Sequence, residues 1–196
     1  MHTVCVFSGS SPGARPAYAA AARALGRELA ARQCRLVYGG ANVGLMAVVA
    51  DTVLSAGGTV IGVMPSQLMD KEVAHNGLSE LRITASMHER KAEMADLSDG
   101  FIALPGGYGT LEEFTEVLTW SQLGLQRKPC GLLNVEDFYA PLLAFFDHAV
   151  AERFVRVEHR SLILAHTDPA RLLDALASWT PQAVDKWIDR TSSTTN

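Results

Sequence analysis

The chain has 196 residues, of which 48% are hydrophobic and 19% charged, which is typical of one globular domain with a sizeable core and excludes a disordered protein. The net charge of −4 excludes a bulk attraction to nucleic acid or to an anionic membrane. We find neither a signal peptide at the start nor an apolar run near the roughly 20 residues of a membrane span, so we expect a cytoplasmic protein.

Short apolar runs alternate with helical patterns along the chain, and turn residues separate them. The runs are continuously apolar, as expected for strands that are buried on both faces of a parallel sheet. The predicted strands are residues 3–7, 35–40, 59–64, 81–84, 101–105, 128–134 and 160–166. The predicted helices are residues 16–32, 43–58, 86–99, 110–125, 135–154 and 169–179.

This alternation predicts a single doubly wound, Rossmann-like α/β domain over residues 1–180, with a parallel sheet of about seven strands and helices on both faces. Residues 181–196 end in TSSTTN and are predicted to form a partly disordered tail. In such a sheet the loops that leave the carboxyl ends of the strands meet at one edge, where ligands bind. Loops with glycine or serine follow four strands here, at residues 8–13, 39–44, after Met64, and 105–110.

The cysteines and histidines do not follow the pattern of a metal site. Cys5, Cys34 and Cys130 are far apart, and each lies in or beside an apolar segment, which favours the buried, reduced thiols of a cytosolic protein. No pair of them has metal-ligand spacing, and the six histidines are scattered. We therefore expect no structural zinc site, and no ligand cluster points to another metal.

The loop PGGYGT, residues 105–110, follows a predicted buried strand and contains Gly106, Gly107 and Gly109. Glycine lets the backbone approach a ligand closely, and amides that open onto a helix N-terminus form an anion site. The loop matches neither the phosphate loop with a lysine after its glycines nor the dinucleotide motif G-x-G-x-x-G. It therefore predicts an anion-binding loop of another kind.

Arg90 and Lys91 fall in the first turns of the helix that is predicted to begin near Ser86. Cations are disfavoured there, because this end of the helix dipole is positive. A solvated basic face would explain such a pair, but its place at the ligand edge favours a bound phosphate or phosphate ester.

Two glutamates, Glu112 and Glu113, lie beside the predicted anion site. Thr110 and Glu113 match the capping box S/T-x-x-E, as do Ser86 and Glu89, so capping alone could explain Glu113. Alternatively, a carboxylate beside a bound sugar phosphate could stabilise the oxocarbenium-like state of glycosidic cleavage and activate the attacking water. The residues thus predict a site that holds a phosphorylated sugar and breaks a bond next to it.

Five segments of the chain resemble a known family. They are VFSGSSPG, LVYGGANVGLM, MHERKAEM, FIALPGGYGTLEEFTEVLTWSQLG and KPCGLLNVEDFY. The fourth segment contains PGGYGTLEE, which matches the signature PGGxGTxxE of the Lonely Guy (LOG) proteins, the cytokinin riboside 5′-monophosphate phosphoribohydrolases that are often labelled lysine decarboxylases in error. The resemblance covers most of residues 3–145. It departs from the family at Ala41, where a third glycine is common and where a methyl group could narrow the pocket.

The resemblance implies hydrolysis of an N6-substituted AMP to the free base and ribose 5-phosphate, without a cofactor. It makes Arg90 and Glu113 the catalytic pair. Family members are commonly homodimers in which the neighbouring subunit completes the site, and Trp120, Phe145 and Phe146 could serve such a face or pack in the core. The substrate-binding residues that it implies are Ser10, Gly39, Gly40, Glu72, Met87, Lys91, Gly106, Gly107, Tyr108, Gly109, Thr110 and Glu112.

Other functions remain as alternatives at this point. One is a broader nucleosidase that accepts AMP or other nucleotide 5′-monophosphates, and another is a non-catalytic carrier of a nucleotide or phosphorylated cofactor. The Arg90 and Glu113 pair favours a hydrolase over a carrier, since an anion site alone would disfavour that carboxylate. A pyridoxal phosphate decarboxylase needs a Schiff-base lysine, and phosphate binding already explains Lys91, the one lysine at the predicted site.

Overall fold

Seven strands form one sheet in the computed structural model, which describes residues 1–68 and 74–181. The strands are β1 (Thr3–Phe7), β2 (Arg35–Tyr38), β3 (Val60–Pro65), β4 (Glu80–Thr84), β5 (Gly100–Ala103), β6 (Cys130–Leu133) and β7 (Ile163–His166). They lie in the order β4-β3-β2-β1-β5-β6-β7, and each neighbouring pair is parallel. The predicted doubly wound α/β fold is therefore confirmed.

Helices connect the strands, as the sequence predicts. They are α1 (Pro16–Ala31), α2 (Gly44–Ser55), α3 (Met87–Leu97), α4 (Tyr108–Gln122), α5 (Ala140–Ala151), α6 (Val157–Arg160) and α7 (Pro169–Ser178). The helix predicted over residues 135–154 is shorter, because Glu136 and Asp137 have positive φ angles of 49° and 58° and keep the chain out of helical geometry until Ala140. In the described part of the chain, no helix combines the length and the hydropathy that crossing a membrane requires.

The side chains of β1 alternate between two hydrophobic clusters, one on each face of the sheet. Val4 and Val6 pack with α1, α2 and α7, whereas Cys5 and Phe7 pack with α3 and α4. Both faces are thus covered, which explains why the strands are continuously apolar in sequence. The predicted tail lies outside the described residues from position 182 onward.

The strand order reverses at β1, which places a crevice above the centre of the sheet. From β1 the chain proceeds outward to β2, β3 and β4, and then returns to β5 on the other side of β1. The loops after β1 and β5 consequently run to opposite faces of the sheet. Ligands of doubly wound sheets bind at such a reversal point, so the fold puts the glycine-rich loops where a ligand is expected.

Candidate active site

The glycine-rich loops after β1, β2 and β5 meet at the carboxyl edge of the sheet. The Gly9 amide donates to the Pro105 carbonyl at 3.1 Å, and the Gly9 carbonyl accepts from the Leu45 amide at 3.0 Å. Gly44 has a φ of +56°, and a Cβ there would overlap the backbone of Ser10. The predicted convergence of these three loops is confirmed, and glycine is required where they touch.

Helix α4 begins two residues earlier than the sequence predicts. Its N-cap is Gly107, and none of the described side chains caps it. Thr110 instead lies buried in the first turn, packed so closely on Gly106 that a Cβ at Gly106 would overlap its hydroxyl. The predicted capping box of Thr110 and Glu113 is therefore wrong, because the missing side chain at Gly106 lets Thr110 turn inward. Capping no longer explains Glu113.

Helix α3 has the cap that the sequence predicts, with one change. The Ser86 hydroxyl accepts from the Glu89 amide at 3.2 Å. The Glu89 carboxylate, however, accepts from the amide of Ala85 at 2.9 Å, one residue before the N-cap. The cap fixes the start of α3 at Met87, which places Arg90 in its first turns and aims it at the ligand edge.

Arg90 and Glu113 form a buried ion pair at this edge. Arg90 Nη2 lies 3.6 Å from Glu113 Oε1, and the two side chains are only 8% and 12% exposed. The guanidinium rests on Gly39, where a Cβ would overlap Nη2, and Nη1 lies 3.7 Å from the sulfur of Met87. Among the described residues, nothing accepts a hydrogen bond from the buried Nε of Arg90. A buried donor without a partner needs an explanation, and a ligand oxygen would supply one.

Lys91 does not face an open phosphate site, because two carboxylates of α4 hold it. Its Nζ lies 2.5 Å from Glu112 Oε1 and 3.0 Å from Glu116 Oε2. Burial lowers the pKa of Lys91, but the hydrogen bonds to Glu112 and Glu116 outweigh this effect and raise that pKa above its ordinary value. Lys91 is therefore a charged ammonium that joins α3 to α4.

Cys5 lies beneath the site, but its thiol is not a nucleophile. Burial raises the pKa of its thiol well above the ordinary value, and the negative charge of Glu113 adds to the rise. The thiol is therefore protonated at neutral pH and unreactive. Within residues 1–68 and 74–181, no three His, Cys, Asp or Glu side chains are grouped so as to hold a metal ion.

A cavity of about 270 Å³ opens between the first glycine-rich loop and Gly106. Ser10 and Gly107 are among its lining residues, and Tyr18, Leu45 and Phe138 supply apolar walls. The rings of Tyr18 and Phe138 meet edge to face, with centroids 5.7 Å apart. Sequence reasoning missed both aromatic residues, since Tyr18 belongs to an ordinary helical pattern and Phe138 follows an unpredicted left-handed turn.

The other predicted site residues lie around this centre, apart from Glu72. Gly40 has a φ of +79°, and its carbonyl accepts from the His75 amide at 3.0 Å. Tyr108 projects into solvent with 94% of its surface exposed, and Gly109 is exposed beside it. Glu72 lies outside the described residues.

Ala41, the departure from the family's glycines, lies fully buried and does not have a positive φ. It forms an isolated bridge with Ala74 on the returning chain. An alanine therefore fits this position without strain, and its methyl group packs in the core.

Comparison with known proteins gives a family and close relatives. A family model described as "Possible lysine decarboxylase" matches residues 46–176. The chain is 54% identical over 178 residues to the probable cytokinin riboside 5′-monophosphate phosphoribohydrolase LOGL9 of Oryza sativa subsp. japonica, which covers 91% of this chain and 78% of that protein. It is 49% identical over 179 residues to the cytokinin riboside 5′-monophosphate phosphoribohydrolase LOG7 of Arabidopsis thaliana, which covers 91% of this chain and 82% of that protein.

Solved structures share the fold at lower identity. The molybdenum cofactor binding protein of Rippkaea orientalis is 25% identical, with a TM-score of 0.68 over 90% of this chain and 96% of that chain. The molybdenum cofactor carrier protein of Chlamydomonas reinhardtii is 21% identical, with a TM-score of 0.66 over the same shares of the two chains. The same architecture therefore occurs in proteins whose names describe binding rather than hydrolysis, so function has to be argued from the site.

Proposed function

Since the chain belongs to the Lonely Guy family of phosphoribohydrolases, we propose that it hydrolyses the N-glycosidic bond of a cytokinin riboside 5′-monophosphate, an N6-substituted AMP, to the free base and ribose 5-phosphate. The observation that carries the proposal is the buried pair of Arg90 and Glu113 beside the glycine-rich loops. A carboxylate held by an arginine, at an edge built to bind an anion, suits the cleavage of a phosphorylated nucleoside.

The phosphate binds at the N-terminus of α4 in this proposal. The first amides of a helix have no partner within the helix, and here Gly107 provides no side-chain cap. A Cβ at Gly107 or Gly109 would meet nothing within 4 Å, so the space beside these amides is open to a ligand. The positive end of the helix dipole favours a phosphate at this place.

Glu113 and Arg90 then act on the sugar. As the bond between the anomeric carbon and the base nitrogen lengthens, positive charge develops on the sugar, and the carboxylate of Glu113 stabilises it. Water adds to the anomeric carbon and gives a proton to Glu113, the base leaves with the electron pair of the broken bond, and it then takes up that proton, which returns Glu113 to its carboxylate form. Arg90 holds the Glu113 carboxylate in place through the ion pair, and its Nε donates to a substrate oxygen.

The description "lysine decarboxylase" does not fit the lysines that the structure describes. An enzyme that uses pyridoxal phosphate needs a lysine that forms a Schiff base. Lys91 is paired with two carboxylates and has a raised pKa, whereas such a lysine is activated by a lowered pKa. Lys128 donates to the Ala95 carbonyl at 2.7 Å at the far end of α3. We therefore derive no step through that cofactor.

The test is hydrolysis of AMP and of isopentenyl-AMP, followed as release of free base and ribose 5-phosphate. We expect the Glu113→Gln variant to lose at least about 100-fold in kcat, since glutamine keeps the shape but cannot act as a base or stabilise positive charge. Glu93→Gln is the matched control, because Glu93 on α3 pairs with Arg82 and not with Arg90. A preference for isopentenyl-AMP selects the cytokinin reaction.

Three outcomes would contradict this proposal. Equal turnover of AMP and isopentenyl-AMP would make the protein a broader nucleosidase. Binding of both nucleotides without cleavage would make it a carrier. Full activity of the Glu113→Gln variant would remove Glu113 from the chemistry.

We also propose that the enzyme is a homodimer. Helix α5 is mostly apolar, yet none of its residues is fully buried. Phe145, Phe154 and Val157 are exposed by 60%, 86% and 64%, and apolar surface of this kind marks protein interfaces. Trp120 and Phe146, by contrast, pack against the core cluster on the α4 face. Of the three aromatic residues considered from the sequence, Phe145 is thus the one available to a second copy.

A cytoplasmic location is proposed as well. Cys5, Cys34 and Cys130 are free and buried, which suits a reducing compartment. Fractionation of cells that express the protein would check this location.

A further inference from the structure

The charges of α3 and α4 meet in two adjacent pairs. Arg90 and Lys91 are neighbours on α3, and Glu113 lies next to Glu112 on α4. One pair is Arg90 with Glu113, and the other joins Lys91 to Glu112. The second pair therefore ties together the same two helices that carry the proposed catalytic residues, one residue away from them.

Lys91 also relieves a repulsion within α4. Glu112 and Glu116 are four residues apart on one face of that helix, an arrangement in which like charges destabilise a helix. The ammonium of Lys91 lies between them and contacts both oxygens of Glu116, at 3.0 and 3.1 Å. The Lys91 side chain is only 10% exposed and that of Glu116 26%, whereas Glu112 is 53% exposed, so water screens the contact with Glu116 less than the contact with Glu112.

We propose that Lys91 is a positioning residue, which holds α3 and α4 at the spacing where Glu113 meets Arg90, and that it does not bind the phosphate. The inference rests on the proposed function of Glu113. Two of the three ammonium donors already bind carboxylates, and the negative charges of Glu112 and Glu116 would repel a phosphate from the same place. The phosphate is then left to the amides at the start of α4.

The test separates kcat from KM in the Lys91→Met variant. Loss of the positioning contact displaces Glu113, so we expect kcat to fall on the order of 10-fold or more. KM and the inhibition constant of ribose 5-phosphate stay within about threefold of wild type, since phosphate binding is not lost. Lys91→Arg, which keeps the charge, recovers part of kcat. A rise in KM and in the ribose 5-phosphate inhibition constant at unchanged kcat would make Lys91 a phosphate contact and overturn the inference.

A rescue variant tests the cause of the loss. In Lys91→Met combined with Glu112→Gln and Glu116→Gln, the two carboxylates no longer repel each other, but the link between α3 and α4 is still missing, so we expect only part of the lost kcat to return. Lys128→Met is the matched control, because Lys128 also contacts α3 but at the end remote from Arg90, and it leaves kcat unchanged. A triple variant as fast as wild type would count against the positioning role, because it would attribute the whole loss to repulsion between Glu112 and Glu116.

The thermal unfolding midpoint tests the role of Lys91 independently of any nucleotide cleavage. We expect the Lys91→Met variant to melt at a lower temperature than wild type, and the triple variant to regain only the part of the difference that comes from repulsion between Glu112 and Glu116. If wild type cleaves no nucleotide, the proposed function fails and the unfolding midpoints alone decide whether Lys91 ties α3 to α4. An unchanged midpoint in Lys91→Met would overturn the inference whatever the activity.

Discussion

Gly39 lies directly under the guanidinium of Arg90, and this contact leaves no room for a side chain. A Gly39→Ala substitution would push Nη2 away from its place opposite Glu113. We expect kcat to fall on the order of 100-fold, because small displacements of a catalytic group have effects of this size. Gly39 does not have a positive φ, so the loss should come from steric overlap rather than from backbone strain. Steady-state kinetics with isopentenyl-AMP would measure it.

Ala41→Gly is the control for this prediction, since it makes the reverse change two residues further along. The Ala41 methyl is fully buried in the core and takes no part in the ion pair of Arg90 and Glu113. We expect unchanged kcat and a loss of roughly 1 kcal/mol in the free energy of unfolding. A changed ratio of activity between isopentenyl-AMP and AMP would show instead that this methyl shapes the substrate pocket.

The roles of single residues were predictable only where a motif or a helix position specified them. The unfavourable end of the α3 dipole pointed to Arg90 and the signature pointed to Glu113, and the structure brings the two together as an ion pair. The pairing of Lys91 with Glu112 and Glu116 was not predictable, since it depends on how close α3 and α4 lie on the same face of the sheet. Sequence spacing within either helix contains no information about that distance.

The two predicted capping boxes provide a test at the level of helices. Ser86→Ala should cost about 1 kcal/mol in the free energy of unfolding, because the Glu89 amide loses its acceptor. Thr110→Val should cost clearly less, since Thr110 packs on Gly106 and does not cap α4. Urea denaturation measures both values. Equal losses in the two variants would restore Thr110 as the cap.

Strands were easier to predict than helix starts. The apolar runs gave all seven strands within a few residues, since Gly and Pro bound most of them. The start of α4 was misplaced because Thr110-x-x-Glu113 satisfies a local rule that the packing of Thr110 on Gly106 overrides. The late start of α5 depends on the positive φ angles of Glu136 and Asp137. Neither residue indicates such a conformation in the sequence.

For the molecule as a whole, the alternation of strands and helices predicted the fold class. The strand order in the structure then explained why the site lies above the centre of the sheet. The alternation does not specify strand order, so the position of β1 between β2 and β5 was open until the structure showed it. That order brings the loops after β1, β2 and β5 together and accounts for the contacts between Gly9, Pro105 and Leu45. Apolar residues in a helical pattern do not reveal whether they face the core or a second subunit, which is why Phe145 and Phe146 could not be distinguished in advance.

The proposed dimer interface on α5 can be tested by placing a charge on it. Phe145→Glu puts a charge on the exposed apolar face of α5, and we expect the protein to become a monomer in light scattering, because burying that charge against a second copy would be costly. Ile83→Glu is the matched control, since Ile83 is a 48% exposed residue on β4, at the opposite edge of the sheet from β7, and it should leave the oligomeric state unchanged. If the partner completes the active site, the Phe145→Glu monomer also loses activity while keeping its fold by circular dichroism. A wild-type protein that is monomeric in solution, or a Phe145→Glu variant of unchanged size, would refute this interface.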